Sequence, residues 1–149
     1  MAVVLVDTNV LVYAHDRGEP AKQQQAIHVL DALEATGDGR LTAQVLGEFF
    51  RTATKPPNAM LAMEPARKQI DNFILTWTIL DTTAMVVQEA ARGVLAHRLS
   101  YYDSQVWAAA RLNQIPVIFS EDFADGRTLE GIRFVNPFSS GFSLDDWGG

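Results

Sequence analysis

The chain has 149 residues, which is the size of one ordinary domain. Hydrophobic residues make up 48% and charged residues 20%, so the chain can bury a core and does not have the composition of a disordered protein. The formal net charge of −6 argues against a protein that holds nucleic acid mainly through a basic face, and the lack of cysteine excludes disulfides and thiolate chemistry.

Apolar segments in the sequence are short. The first, Ala2–Val6, is interrupted by Asp7 and lacks the basic residues that open a secretory signal, and no later run reaches the length of a membrane span. We therefore expect a cytoplasmic protein that does not interact with membranes. Residues 1–138 are predicted to form a single domain, followed by a Ser/Gly-rich tail over 139–149.

The first third of the chain alternates between strand and helix patterns. Ala2–Val6 is a β-branched apolar run of the kind that is buried on both faces in parallel sheets, and a short helix is predicted after it. Pro20 is typical of a helix start and Gly37 of a helix stop. Leu41 is predicted to lie in a very short strand, and Thr42 is a suitable N-cap for the next helix.

The same alternation continues to the end of the domain. Pro56-Pro57 cannot continue the preceding helix and opens a loop. Three further helices are predicted to begin near Pro65, Thr82 and Ser100, and three further strands to cover 77–80, 116–119 and 132–135. This order predicts an α/β fold, a three-layer α/β/α sandwich with a small parallel sheet and right-handed crossovers.

Four acidic residues occupy positions that such a fold can bring together. In open parallel sheets the functional crevice lies beyond the carboxyl ends of the strands. Asp7 directly follows the first strand, Asp122 closely follows a later one, and Glu48 lies beside the apolar side of its helix. Asp103 lies in the opening turn of another helix. Taken singly, each has a structural explanation: a turn or N-cap at Asp7, a pair with Arg51 for Glu48, a capping box with Ser100 for Asp103 and a turn cap at Asp122.

A cluster of these four side chains would need compensation for its charge. Two carboxylates about 5 Å apart repel by roughly 3 kcal/mol at an effective dielectric constant of about 20. Few basic residues lie nearby in the sequence, Arg51 being the clearest. Hard divalent cations with oxygen ligands are the natural compensation, and Mg²⁺ or Mn²⁺ suits a few carboxylates with retained waters. Such ions also allow an acidic protein to bind a phosphodiester.

The segments around these carboxylates carry a family resemblance. They are Asp7-Thr8-Asn9 after a hydrophobic strand, Glu48 in a central helix, Tyr101-Tyr102-Asp103 opening a helix, and Ser120-Glu121-Asp122 after another strand. In this order they resemble the PIN domain family, and most nearly the VapC-type toxins of bacterial toxin–antitoxin pairs. The resemblance runs from Val3 to Phe138.

The resemblance implies a Mg²⁺- or Mn²⁺-dependent endoribonuclease that hydrolyses RNA phosphodiesters with metal-activated water. It implies a homodimer and a cognate antitoxin protein as partners. By matching positions, the catalytic and metal-binding residues are Asp7, Glu48, Asp103 and Asp122. The residues that orient those carboxylates through hydrogen bonds are Thr8, Asn9 and Ser120.

Two further residues have weaker claims on the site. Arg51 is a candidate contact for RNA phosphates, although basic residues on helix surfaces are usually only solvated. Asp125 would be a fifth acidic participant, but its place before Gly126 favours a surface turn.

Two alternative functions stay open at this stage. A non-catalytic module would use the acidic pocket to bind a metal or a basic partner, which suits the net charge of −6. An aspartate-dependent phosphatase would use Asp7 as its nucleophile, but the haloacid-dehalogenase pattern expects a second aspartate where this chain has Asn9. The sequence favours this last function least.

Overall fold

The apolar runs of the sequence become the strands of one sheet in the computed structural model, which describes residues 2–147. The strands are β1 (Val4–Val6), β2 (Gly39–Thr42), β3 (Thr78–Leu80), β4 (Val117–Phe119), β5 (Thr128–Leu129) and β6 (Ile132–Val135). The α-helices are α1 (Thr8–Tyr13), α2 (Pro20–Thr36), α3 (Ala43–Ala53), α4 (Met63–Thr76), α5 (Ala84–His97) and α6 (Tyr101–Leu112). A short 3₁₀ helix covers Leu144–Asp146.

The six strands of the described residues are ordered β3-β2-β1-β4-β6-β5. Every neighbouring pair is parallel except β5 with β6, which is antiparallel. The parallel sheet is therefore confirmed, with one antiparallel strand added at its edge. The sequence did not reveal β5 because a strand of two residues is too short to show a pattern.

The direction of the connections places helices on both faces of the sheet. From β1 the chain moves outward through β2 to β3, and it then returns past β1 to β4. Right-handed crossovers in opposite directions put α1–α4 on one face and the tightly packed pair α5 and α6 on the other. The predicted α/β/α sandwich is confirmed.

The reversal of strand order lies between β1 and β4, at the centre of the sheet. Their registers pair Val4 with Val117 and Val6 with Phe119, so both strands end at the same level. The backbone N–H of Asp7 donates to the carbonyl of Phe119 at 3.0 Å, which ties the two strand ends together. Ligands of open α/β sheets bind at such a switch point, beyond the carboxyl ends of the strands.

The helix boundaries follow the capping residues of the sequence. Pro20 occupies the first turn of α2, and Gly37 ends this helix in the left-handed region at φ 74°. The hydroxyl of Thr42 accepts from the N–H of Val45 at 3.0 Å and caps α3. Only α4 departs from its predicted start, because it begins two residues before Pro65. Proline is tolerated there, since the first N–H groups of a helix have no partner within it.

The core fills the space between the sheet and its two helix layers. Fully burying a large apolar side chain stabilises the folded state by about 1.5–3 kcal/mol. The largest fully buried side chains are those of Trp107, Phe49, Phe119, Phe134, Leu5 and Leu11. No helix among residues 2–147 has the length and apolar character that crossing a membrane requires.

The predicted tail packs against the body of the domain as far as it is described. The rings of Phe142 and Trp147 contact the edge of Phe119, with centroids 5.4 and 5.8 Å away. The guanidinium of Arg133 lies over the Trp147 ring at 5.4 Å. Met1 of the predicted domain and residues 148–149 of the predicted tail lie outside the described residues.

Two helical glycines make a matched test of the packing between α5 and α6. A Cβ added at Gly93 would clash with the Ser104 hydroxyl and lie 2.6 Å from a ring carbon of Trp107, whereas one added at Gly47 meets nothing within 4 Å. We expect Gly93→Ala to lower the free energy of unfolding by about 1–3 kcal/mol. Gly47→Ala should raise it by about 0.5–1 kcal/mol. Urea unfolding measures both, and equal effects would contradict this description of the core.

Candidate active site

Asp7 is the central residue of the candidate site. It follows β1 directly and serves as the N-cap of α1, whose first N–H, that of Thr8, donates to Asp7 Oδ1 at 2.8 Å. Its other oxygen, Oδ2, accepts from the Ser120 hydroxyl at 2.8 Å and lies 3.5 Å from the Asn9 amide nitrogen. Only 4% of the residue is exposed. The N-cap explanation is therefore correct, and the same geometry fixes the orientation of the carboxylate.

Asn9 and Ser120 join the end of β4 to the start of α1. The Asn9 amide donates to Ser120 Oγ at 3.1 Å and accepts from the backbone N–H of Glu121 at 3.2 Å. The backbone N–H of Asp122 also donates to Ser120 Oγ, at 3.1 Å. Through these contacts Asn9 and Ser120 can orient the Asp7 carboxylate, which is the role predicted for them. The same contacts hold the loop after β4 beside Asp7.

Three of the four predicted carboxylates converge. Asp7, Asp103 and Asp122 each offer an oxygen, and these oxygens all lie within 4.8 Å of one another. Asp103 comes from the first turn of α6, where its backbone N–H donates to the capping Ser100 hydroxyl at 3.4 Å. Asp7 is buried, Asp103 half-buried and Asp122 exposed, so the group opens to solvent on one side.

Glu48 lies beside this aspartate group but does not belong to it. Its Oε2 accepts from the Thr8 hydroxyl at 3.0 Å, and its Oε1 accepts from the Gln44 amide at 2.6 Å. Within the described residues no ion pair joins it to Arg51, so the pairing suggested by their spacing does not form. The α3 helix instead directs Glu48 toward α1, where it is hydrogen-bonded to Thr8, the residue whose N–H is capped by Asp7.

Burial makes the charge of this group costly. It raises the pKa of Asp7 from 3.8 to about 7, an effect that nearby Asp122 and Asp103 reinforce and that hydrogen bonds from Ser120 and Thr8 oppose. Burial also raises the pKa of Asp103, with the charges of Asp122 and Glu48 adding to it. Glu48 is thus close enough to act on the group through its charge.

No basic side chain within residues 2–147 forms an ion pair with the three aspartates. Among the described residues, the carboxylates in ion pairs are those of Glu64, Asp71, Glu89, Glu121 and Glu130. Three uncompensated carboxylates with converging oxygens are the donor set that Mg²⁺ and Mn²⁺ prefer. The residues present therefore fit a divalent cation held by Asp7, Asp103 and Asp122.

The structure adds contacts that the sequence analysis did not identify. The Tyr13 hydroxyl donates to Glu121 Oε1 at 2.6 Å, and Lys22 Nζ lies 2.7 Å from Glu121 Oε2. This cluster fastens α1 and α2 to the loop that carries Asp122. Gln44 was also missed, although its place four residues before Glu48 on one helix is a readable signal.

Asp125 lies apart from the group of three. Its Oδ1 accepts from the backbone N–H of Asn136 at 2.9 Å, in an exposed turn, which agrees with the explanation that the sequence favoured. The exposed position and the hydrogen bond make Asp125 a suitable control for substitutions within the aspartate group.

The stability of metal-free Asp7→Asn relative to metal-free wild type should rise as the pH increases from about 5 to about 8. Between the ordinary pKa of 3.8 and the folded value of about 7, the folded protein binds a proton that the unfolded chain does not. Ionisation of buried Asp7 therefore lowers the free energy of unfolding by its full amount above about pH 7. Below that pH the loss becomes smaller by up to about 1.4 kcal/mol per pH unit. Urea unfolding of wild type and Asp7→Asn in EDTA measures the difference.

His15 does not disturb this comparison. Burial lowers its pKa, so it destabilises both proteins equally as the pH falls. A stability difference between wild type and Asp7→Asn that stays constant across the pH range would show that Asp7 is ionised throughout.

Comparison with known proteins identifies the fold. The solved structure of Mycobacterium tuberculosis VapC20, a toxin that cleaves the sarcin–ricin loop, matches with a TM-score of 0.63 at 18% identity, over 80% of this chain and 89% of that one. A toxin–antitoxin complex from Klebsiella pneumoniae matches with a TM-score of 0.66 at 17% identity, over 90% and 97%. DNA-bound VapBC from Salmonella typhimurium matches with a TM-score of 0.63 at 18% identity, also over 90% and 97%.

Sequence comparison gives the family. No curated protein matches the chain at a significant level. The family model described as PIN domain matches residues 4–124, a segment that contains all three converging aspartates. The match covers more than half of the chain, and the protein therefore belongs to the PIN domain family.

Proposed function

We propose that this protein is a Mg²⁺- or Mn²⁺-dependent endoribonuclease and the toxin of a toxin–antitoxin pair. The observation that carries the proposal is the convergence of Asp7, Asp103 and Asp122 within 4.8 Å at the switch point of the sheet, with no basic side chain paired to them among the described residues. Membership of the PIN domain family and the likeness to VapC20, a toxin that cleaves the sarcin–ricin loop, support this function.

The three aspartates would hold the ion. When bound, Mg²⁺ or Mn²⁺ supplies a water of lowered pKa and positive charge opposite the phosphate. Ser120, Asn9 and the N–H of Thr8 keep the Asp7 carboxylate in one orientation, so that no reorganisation is needed when the substrate arrives. In the proposed reaction water would add to the phosphorus and the bond between phosphorus and the 3′ oxygen would break, with a proton of the water passing to the 3′ oxygen, leaving a 5′-phosphate and a 3′-hydroxyl.

Glu48 would act at the edge of this site. Both of its oxygens accept hydrogen bonds, from Thr8 and Gln44, so its side chain is fixed beside the group of three. Mg²⁺ sites commonly retain several waters, which provide partners for a carboxylate that is near the ion without being its direct ligand. We assign Glu48 to the orientation of such waters.

The partners follow from the same proposal. Membership of the PIN domain family and the likeness to toxin–antitoxin complexes support a second copy of the chain and an antitoxin protein as partners. The acidic net charge of −6 suits a basic antitoxin segment. An RNA substrate and a chain without cysteine agree with a cytoplasmic location.

Cleavage of RNA by the purified protein tests the catalytic proposal. We expect wild type to cut structured RNA with Mg²⁺ or Mn²⁺, to stop in EDTA, and to leave 5′-phosphate ends. Asp7→Asn should reduce the rate by at least about 100-fold, because substitutions of this kind remove an oriented charge that acts on the reaction. Asp125→Asn makes the same change outside the group of three and should cut like wild type.

Three outcomes would overturn the proposal. Cutting that survives both Asp7→Asn and EDTA would remove the role of the aspartates and of the ion. Metal binding without any cutting would identify the acidic binding module instead. A phosphoaspartate trapped at Asp7 would identify the phosphatase.

Binding of the ion is measurable without any substrate. Mg²⁺ at about a hundred times its Kd should raise the free energy of unfolding of wild type by about 2.7 kcal/mol. The increase should be much smaller in Asp122→Asn, which loses an exposed ligand with little effect on the core, and should be unchanged in Asp125→Asn. An undiminished increase in Asp122→Asn would place the ion elsewhere.

A further inference from the structure

A groove of about 510 Å³ lies next to the aspartate group, between α3 and the first turn of α6. It is lined by Gln44, Gly47, Glu48, Arg51, Thr52 and Tyr102. Two links connect it to the site. Glu48 accepts from the Thr8 hydroxyl, and Tyr102 directly precedes Asp103 in the chain. Glu48 therefore borders both the groove and the aspartate group.

Tyr102 presents an aromatic ring to this groove. The residue is 61% exposed, and its ring meets that of Tyr101 edge-on, with centroids 5.4 Å apart. Much of the Tyr102 ring is therefore open to solvent. Such a ring stacks on a nucleobase without preference for its identity.

Arg51 supplies positive charge at the same groove. It is exposed on α3, one turn after Glu48, in a chain with 18 carboxylates. The ion pairs of the described residues use other basic side chains, namely Lys22, Arg67, Arg92, His97 and Arg111. Arg51 is thus left with an unpaired charge beside a candidate phosphodiester site, where a second phosphate of the same strand would neutralise it.

Gly47 leaves the helix surface bare between these two side chains. Glycine within a helix costs about 0.5–1 kcal/mol relative to alanine. At Gly39 and Gly93 packing explains the glycine, because an added Cβ would clash with Trp77 or Trp107. At Gly47 an added Cβ would meet nothing within 4 Å, so nothing within the described chain requires glycine there. A ligand that approaches the α3 backbone closely would require it.

We propose that this groove binds an unpaired nucleotide of the RNA, next to the phosphate that is cut. Its base stacks on Tyr102, a neighbouring phosphate contacts Arg51, and the bare surface at Gly47 admits the ribose. Stacking of this kind needs an unpaired base, since the bases of a duplex have both faces covered. This inference rests on the proposed function and adds a determinant of substrate choice to it.

The test measures RNA binding separately from cleavage. The probe is a fluorescent single-stranded oligouridylate, compared with the same strand annealed to its complement, in the Asp122→Asn background with Mg²⁺. We expect Tyr102→Ala to weaken single-strand binding by about 5- to 100-fold, the range of base–aromatic stacking. Tyr102→Trp should retain binding, because it keeps the aromatic face.

Salt dependence and groove filling distinguish the other two residues. Arg51→Gln should lower the slope of log Kd against log salt by about 0.7, the value for one phosphate contact to a single strand. Lys68→Gln, an exposed lysine of α4 outside the groove, should leave the slope unchanged. Gly47→Leu should block binding while unfolding at the same or higher urea concentration than the parent, which excludes misfolding as the cause.

Failure of the subsite and failure of the proposed function give different results. If wild type cuts RNA but Gly47→Leu and Tyr102→Ala bind and cut like their parents, the subsite is wrong and the function stands. If the variants lose binding as expected but wild type never cuts RNA, the subsite stands and the nuclease proposal falls. Variants that change only the oligomeric state, measured by light scattering, would assign the groove to a second copy of the chain and overturn the subsite.

Discussion

A buried carboxylate at the end of the central strand is the constraint on which the rest of the site depends. Asp7 cannot turn toward bulk solvent, because β1 and α1 fix its backbone and hydrogen bonds hold both of its oxygens. Asp103 and Asp122 add like charge within 4.8 Å. A protein that keeps this arrangement gains stability whenever a proton or a cation reaches it, so the site is built to attract positive charge.

The fold creates this situation with very short elements. β1 and β4 contribute three residues each, yet they lie at the one place in the sheet where the direction of the connections reverses. The loops that leave these two strands therefore diverge and leave room between them. The α6 helix, from the opposite face of the sheet, brings Asp103 into that space with its first turn.

The sequence was sufficient for every described strand except β5, for the helix caps and for the convergence of three of the four carboxylates, because each depends on local pattern or on topology. Aspartates at the ends of parallel strands lie at the same edge of the sheet, independently of the side chains elsewhere. Thr42 caps its helix through a hydrogen bond from the N–H of Val45, three residues further along the chain. Contacts between distant surface side chains leave no such pattern. Lys22 contacts Glu121, which lies 99 positions away in the chain. Glu48 is hydrogen-bonded to Gln44 and not paired with Arg51, although both are suitably spaced on the helix. The packing of α3 against α1 decides between these two partners.

The hydroxyl of Ser120 carries a consequence for the chemistry of its neighbour. It donates its one hydrogen to Asp7 Oδ2, and it accepts from the Asn9 amide and from the N–H of Asp122. The two groups from which the Ser120 oxygen accepts can only donate hydrogen bonds. The hydroxyl hydrogen of Ser120 is therefore directed at Asp7 Oδ2. Ser120 therefore donates to Oδ2 in both protonation states of Asp7, so the side chain keeps its orientation when it gains or loses a proton.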